Sequence, residues 1–429
     1  MRERPLAAIL TLGCKLNLAD SEELARGLRG AGYDVTGHLV EADAVVVNTC
    51  SVTHVADQKS RRLIRSVRRV APAAKVAVTG CYPQTAGFEK VHELGADLVV
   101  GTRDRDKAQL LEFFTADAGP AAPPDPVAAA PALTTRAFVK AQEGCNDVCA
   151  FCIVPRTRHR EESRVPDRVA EEVNAAVLGG AREVVITGTQ LGAWGRDLDP
   201  PSAPHELISG VLEDTEVARL RFSSLQPQDI TPELLALWDD PRLMPHFHLA
   251  LQSGSDRVLR AMRRRYTAGE YRQAVERIRA AVPDAAITTD VIAGFPGETA
   301  KEFAETLRLC DELSLSRIHA FPYSERSGTV AARMGGQVDP ATRKARVREL
   351  VELGGELAAR HYAAYRDTVR PVLWESEVET GSGPRWHGYT DNYIAVYASG
   401  EALGNRITPA RLGEAFRDGV FAAATGSEP

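Results

Sequence analysis

Glu143-Gly144-Cys145-Asn146-Asp147-Val148-Cys149-Ala150-Phe151-Cys152 places three thiols within eight residues, with three and then two residues between them. Three thiolates can hold three corners of a cubic four-iron four-sulfur cluster, and the missing fourth ligand leaves one iron open to bind something else. An open iron implies chemistry as well as electron storage. The plainer alternatives are a zinc knuckle or a disulfide staple. Zinc favours paired Cys-x-x-Cys arms with a fourth Cys or His at similar spacing, and here only His159, set among arginines, lies near.

Outward from this loop the chain alternates strand-like and helix-like patterns. Strand-like runs at 137–141, 184–187, 220–223, 247–251, 287–292 and 318–321 are separated by helical stretches at 169–178, 258–262, 271–280 and 303–313. Six such units predict an incomplete parallel (β/α)6 barrel, whose active site lies at the C-terminal ends of its strands. The cysteine loop directly follows the first of them. Upstream, apolar runs at 6–12, 44–47, 76–79 and 98–100 alternate with helical patterns at 20–28, 61–70 and 107–114, with Asp20 and Ser21 as cap residues of the first helix. That order predicts an N-terminal doubly wound parallel sheet.

Three more cysteines fall on this sheet. Cys14 follows the first strand, Cys50 the second and Cys81 the third, 36 and 31 residues apart. In a parallel sheet these strand ends open on one edge, where such sheets bind ligands. The recurrence predicts a second three-thiolate cluster, against the alternative that small thiols simply fill core. Cys310, within a helical run, reads as a buried thiol.

At 429 residues, with 44% apolar and 26% charged side chains, the chain has room for several globular domains. Pro- and Ala-rich residues 116–135 predict an extended linker between domains at 1–115 and 136–366. Past a charged helical stretch at 340–365, short β-rich runs at 372–374, 393–397 and 406–408 predict a small C-terminal β-barrel over 367–429. No apolar run reaches membrane-span length, and the opening Met1-Arg2-Glu3-Arg4-Pro5 leads straight into a strand-like run, so a cytoplasmic protein without a membrane partner is expected. Seven scattered cysteines also suit a reducing compartment.

The Cys145–Cys152 spacing resembles the signature of radical S-adenosylmethionine (SAM) enzymes, and the whole chain resembles the methylthiotransferases among them. Further landmarks are Leu251-Gln252-Ser253-Gly254-Ser255-Asp256, Met262 with Arg264-Arg265-Tyr266-Thr267, and Gly294-Phe295-Pro296-Gly297-Glu298-Thr299. The resemblance implies a central radical SAM barrel, a C-terminal RNA-binding (TRAM-like) module, SAM, and two [4Fe-4S] clusters on Cys145, Cys149, Cys152 and on Cys14, Cys50, Cys81. It also implies an electron donor such as flavodoxin or ferredoxin. Family members act on isopentenyl-adenosine or threonylcarbamoyl-adenosine in the tRNA anticodon stem-loop, or on a ribosomal-protein aspartate. Thr11-Leu12-Gly13-Cys14-Lys15-Leu16-Asn17 looks most like the threonylcarbamoyl branch. One departure stands out: where the family commonly has a basic residue then glycine after the proline, this chain reads Arg156-Thr157-Arg158-His159-Arg160.

Expected SAM contacts are Phe151 against adenine, Gly188-Thr189-Gln190 at the amino group, Ser223 and Gln252 at ribose or carboxylate, and Gly294 near the adenine. Each has an ordinary packing or turn role as its alternative. For RNA, the basic groups are Arg61, Arg62, Arg65, Arg68 and Arg69; Arg156, Arg158 and Arg160; and Arg257, Arg260, Arg263, Arg264 and Arg265, with solvated helix faces as the plain reading. The C-terminal module, from Val369, carries five arginines, no lysine and eight acidic residues, which is no basic surplus. Its Trp374, Trp386, Tyr389 and Tyr393 either stack on bases or fill the small barrel. A reading of another class is a noncatalytic iron-sulfur RNA-binding sensor.

Overall fold

The protein, seen as a computed structural model, is described over residues 4–116, 135–381 and 383–424. The expected linker lies outside the described residues except for its two end positions, as do residues 1–3 of the opening pentapeptide.

The first sheet is built from β1 (Leu6–Thr11), β2 (Asp34–Thr36), β3 (Ala44–Thr49), β4 (Lys75–Gly80) and β5 (Leu98–Val99), in the order β2-β1-β3-β4-β5. Every pairing is parallel. β3 is buried at every position because helices cover both faces, so its sequence shows no alternation. On one face Ile9 and Val46 pack with Leu24, Leu28, Leu110 and Phe114; on the other Val45, Val47 and Val78 pack with Ile64 and Val67. This is the doubly wound arrangement the sequence predicts. The first helix, however, spans Lys15–Gly30 with Cys14 as its N-cap. Asp20 and Ser21 are buried inside it and not at its start, because Asp20 meets three cations and the Ser21 hydroxyl accepts from Thr11 Oγ1 at 2.7 Å.

The central layer continues with β6 (Arg136–Glu143), the antiparallel edge strand β7 (Glu162–Ser163), β8 (Glu183–Gly188) and β9 (Arg219–Phe222) in one sheet. A second sheet holds β10 (Ser224–Leu225), β11 (His246–Leu249), β12 (Ala286–Ala293) and β13 (Arg317–Pro322). β9 and β10 are one strand position interrupted at Ser223, so the parallel order runs through six positions without closing. A single large apolar core joins these strands to their surrounding helices.

Helix Pro340–Ala364 packs along β13 and leads into the last module. There β14 (Val369–Thr380), β15 (Gly383–Thr390), β16 (Ala395–Ala398), β17 (Ile407–Phe416) and β18 (Gly419–Ala424) close a small barrel around Val372, Trp374, Val396, Leu412 and Val420. It docks on the central layer through aromatic rings: Tyr393 stacks on His246 at 4.3 Å and on Tyr389 at 4.9 Å, with the Arg136 and Arg221 guanidinium groups over them. No helix among the described residues is long and apolar enough to cross a membrane.

Candidate active site

β6 runs directly into the loop Cys145–Cys152, which is held from several sides. Gly144 has φ 74, and a Cβ there would collide with the Arg160 carbonyl, so glycine is required at the turn. The Ala150 amide donates to Met262 O at 2.9 Å, and its carbonyl accepts from Ala331 at 2.7 Å. Donors already point at the sulfurs: Asp147 N–H at Cys145 Sγ (3.3 Å), Val154 N–H at Cys152 Sγ (3.4 Å) and Arg264 Nη1 at Cys149 Sγ (3.3 Å). Arg264 is in turn fixed by Gln226 Oε1 at 2.9 Å and by the Tyr266 ring.

The other three cysteines converge as the sheet requires. Cys14 ends the β1 loop, Cys50 follows β3 and Cys81 opens the helix after β4, all at the C-terminal ends of adjacent strands. Gly80, at φ 96, brings β4 so close to the Thr49 carbonyl that no side chain fits between them. Asn17 and Asn48 tie the β1 and β3 ends together, Asn17 Nδ2 donating to Asn48 Oδ1 and Asn48 Nδ2 to Asn17 O, both at 2.8 Å. Ser60 Oγ donates to Cys50 O at 2.9 Å.

Burial pushes the Cys145 thiol up to about 12 and the Cys50 and Cys152 thiols up to about 11. Cys81 is also raised by burial, opposed by the charge of Arg158. These thiols are therefore protonated at neutral pH without a metal, and thiolate ligation releases their protons. No three His, Cys, Asp or Glu side chains among the described residues approach single-ion spacing, a closeness that the wider corners of an iron-sulfur cube do not need. Two sets of three thiols, one with donors aimed at each sulfur, fit clusters of three-cysteine type.

Members of both trios line one cavity of about 700 Å³: Cys14 and Cys50 from the first sheet and Cys152, beside Phe151, from the loop. Gln252, Asp290, Ile292 and Tyr323 are also on its wall. Of the expected SAM contacts, Phe151 and Gln252 therefore face the cavity, Gln252 from a left-handed backbone at φ 66. Thr189 Oγ1 and Ser223 Oγ are buried without a hydrogen-bond partner among the described residues, though neither residue lines the cavity. The Gln190 amide donates to Gln142 Oε1 at 2.9 Å, and a Cβ on Gly188 would press on Leu191 and Gln142. The Gly294 amide donates to Glu298 Oε2 at 2.7 Å, with Arg343 packed over it, so it has a structural partner already.

Residues 7–101 match the Uncharacterized protein family UPF0004, and residues 139–310 match the Radical SAM superfamily. The Threonylcarbamoyladenosine tRNA methylthiotransferase MtaB of Bacillus subtilis (strain 168) is 37% identical, the alignment covering 96% of each chain. The chain belongs to the radical SAM tRNA methylthiotransferases. A second relative, the tRNA-2-methylthio-N(6)-dimethylallyladenosine synthase of Thermobifida fusca (strain YX), is also 37% identical, over 93% of this chain and 82% of that one. Among solved structures, the radical SAM methyltransferase TsrM of Kitasatospora setae, with cobalamin and a [4Fe-4S] cluster bound, has a TM-score of 0.53 at 14% identity and covers 86% of this chain and 80% of its own. That likeness concerns the fold. SAM and [4Fe-4S] clusters are the cofactors of this family of methylthiotransferases.

The methylthiotransferase site also contains residues that sequence reasoning assigned elsewhere. Arg264 belongs to the arginines expected to face RNA, but it is half-buried and donates to Cys149 Sγ. Arg257 and Arg265 are bonded to Glu302 and Asp147, and Arg158 is buried between Asp20 (2.6 Å) and Glu143 (2.8 Å). Adjacency of Arg264 to the landmark Tyr266 was the available signal. At the one departure from the family pattern, His159 takes the left-handed backbone, φ 64, that glycine adopts more readily.

Proposed function

We propose that this methylthiotransferase adds a methylthio group to carbon 2 of the adenine of threonylcarbamoyladenosine beside the tRNA anticodon. The observation that carries the reading is one cavity lined by Cys14 and Cys50 of one trio and Cys152 of the other. In this reading Cys145, Cys149 and Cys152 hold the cluster that binds SAM, and Cys14, Cys50 and Cys81 hold the other. When bound, these groups supply the carbon radical that removes an unactivated hydrogen and the sulfur that replaces it. The protein's part is placement. Phe151 and Gln252 orient SAM, and apolar Ile292 and Tyr323 keep water from the reacting carbon.

The division into units at 1–115, 136–366 and 367–429 is part of the same proposal, as are a cytoplasmic setting and a one-electron donor of the flavodoxin or ferredoxin class. The choice of threonylcarbamoyladenosine draws on the Thr11–Asn17 string and on the Bacillus subtilis relative. Dimethylallyladenosine synthases among the relatives support the isopentenyl substrate as a second reading. Anaerobic protein with iron, sulfide, SAM and dithionite is offered anticodon stem-loops carrying adenosine, isopentenyladenosine or threonylcarbamoyladenosine, and nucleosides are weighed by mass spectrometry. Methylthiolation of the threonylcarbamoyl stem-loop alone is expected. Product only on the isopentenyl stem-loop moves the assignment to the rival, and no 5'-deoxyadenosine with both clusters loaded removes the enzyme.

A further inference from the structure

A second hollow, also about 700 Å³, lies beside the cavity of the two trios and shares Ile153 with it as a common wall. Their walls are neighbours: Thr53 and Ser324 line the first, and their chain neighbours His54 and Glu325 line the second. The ridge between them is pinned where the His54 amide donates to Ser324 Oγ at 3.1 Å.

The charge in this hollow is unbalanced. Asp57 is answered by Arg326 at 2.7 Å, and Arg326 also donates to Ser51 Oγ at 2.9 Å, so that pair forms a neutral floor. Above it stand Arg61, Lys90 and Arg156, none of which makes an ion pair among the described residues, against the single free carboxylate of Glu325. Arg61 sits 6.0 Å over the Tyr82 ring, and Arg156 lies on the Gly328 backbone, where a Cβ would strike its guanidinium. Arg61 and Arg156 are thus seated against the fold, and Lys90 and Arg156 are exposed to solvent. Three unpaired cations around a concave wall are a phosphate-binding arrangement.

We propose that this hollow is the subsite for the phosphate backbone of the RNA strand that flanks the nucleotide held between the cysteine trios. The inference rests on the tRNA reading above and deepens it by assigning where the strand is gripped. The C-terminal barrel does not offer the same chemistry. It is acidic overall, and three of its five arginines are engaged: Arg370 with Asp391 at 2.8 Å, Arg411 with Asp367 O at 2.7 Å, Arg417 with Glu379 O at 3.3 Å. Tyr389 and Tyr393 are committed to the dock on the central layer. An acidic electron-transfer protein would be drawn by the same three cations. A hollow of nucleotide size, sharing a wall with the reaction cavity, favours the RNA strand over a broad protein face.

Cluster-loaded full-length protein is titrated with a fluorescein-labelled anticodon stem-loop RNA across a salt series. Arg156→Glu and Lys90→Glu each weaken binding several-fold, and each lowers the slope of log affinity against log salt by about 0.7 to 1. Iron content per chain stays at the unsubstituted value. Arg385→Glu, the same charge change on the C-terminal barrel, leaves affinity and slope in place. Unchanged RNA binding in both hollow variants overturns the proposal, as does loss confined to Arg385→Glu. If the hollow variants instead slow reduction by flavodoxin while binding RNA normally, the hollow belongs to the electron donor and the proposal fails. If the unsubstituted protein binds no anticodon stem-loop at all, the tRNA reading itself falls and takes the subsite with it.

Discussion

The two cysteine trios reach similar ends by opposite routes. One is local: three thiols in eight residues, on a loop fixed by Gly144, by Ala150 backbone bonds and by Arg264 at Cys149. The other exists only because β1, β3 and β4 lie side by side in parallel, bringing together residues 36 and 31 positions apart. A loop trio depends on its own few residues, whereas a strand-end trio depends on a whole sheet being in register. The largest expected effect tests whether they are separate centres. Cys149→Ala and Cys50→Ala should each lose about four irons per chain. Only Cys149→Ala should abolish 5'-deoxyadenosine formation with dithionite, while Cys50→Ala keeps it and loses methylthio transfer. Equal loss of 5'-deoxyadenosine in both would merge the two centres into one.

What holds the trios at a fixed separation is the packing of helix Lys15–Gly30, capped by Cys14, across β6, which ends at Glu143, two residues before Cys145. Asp20 is the hub of that contact. Burial alone would raise its carboxyl, but Lys107 at 2.9 Å, Lys140 at 3.1 Å and Arg158 at 2.6 Å outweigh it and hold it well below the usual carboxylate range. Asp20→Asn leaves three buried cations short of an anion, and a loss of about 3–5 kcal/mol in denaturant unfolding is expected. A loss under about 1 kcal/mol would mean that the surrounding Glu23, Asp104 and Glu143 carry the junction instead.

Much of this was readable from the chain. The loop trio is written in spacing, and the strand-end trio became legible once the apolar runs were ordered as β-α-β. The first helix start was misread because Asp20 and Ser21 look like caps, and their partners, Lys140 and Asn48, are distant in sequence. Arg158 and Arg264 read as surface charge for the same reason: composition does not show that a cation faces a buried carboxylate or a thiol. The weak strand β2 and the break at Ser223 left no pattern, since two or three residues hold no periodicity.

A smaller effect separates the trios electronically. Arg264 donates to Cys149 Sγ, and hydrogen bonds to cluster sulfurs help set reduction potential. Arg264→Gln should lower the potential of the loop cluster, followed by electron paramagnetic resonance during redox titration, and leave that of the strand-end cluster where it was. Its cost in stability is about 1.5–3 kcal/mol, the range for a hydrogen bond to a charged group. Matching shifts in both clusters would show that the centres are coupled more closely than their separate scaffolds imply.

The smallest expected effect concerns Glu22, on the same helix, whose carboxylate accepts the Phe138 amide of β6 at 2.8 Å. Burial raises its pKa from 4.5 to about 7, opposed in part by the Phe138 N–H and by Arg26. A carboxyl with a raised folded pKa favours the folded state while protonated, so its contribution is complete below about 4.5 and is lost as pH rises through about 7. Glu22→Gln keeps an oxygen to accept the amide and carries no charge to bury. The variant should match the unsubstituted protein near pH 4 and melt higher than it near pH 8, the gap opening between about 4.5 and the folded pKa of about 7. A gap that is the same at both pH values would place the pH sensitivity of this junction elsewhere. The alignment of the two trios would then rest on the Asp20 ion cluster, whose carboxylate stays charged throughout that window.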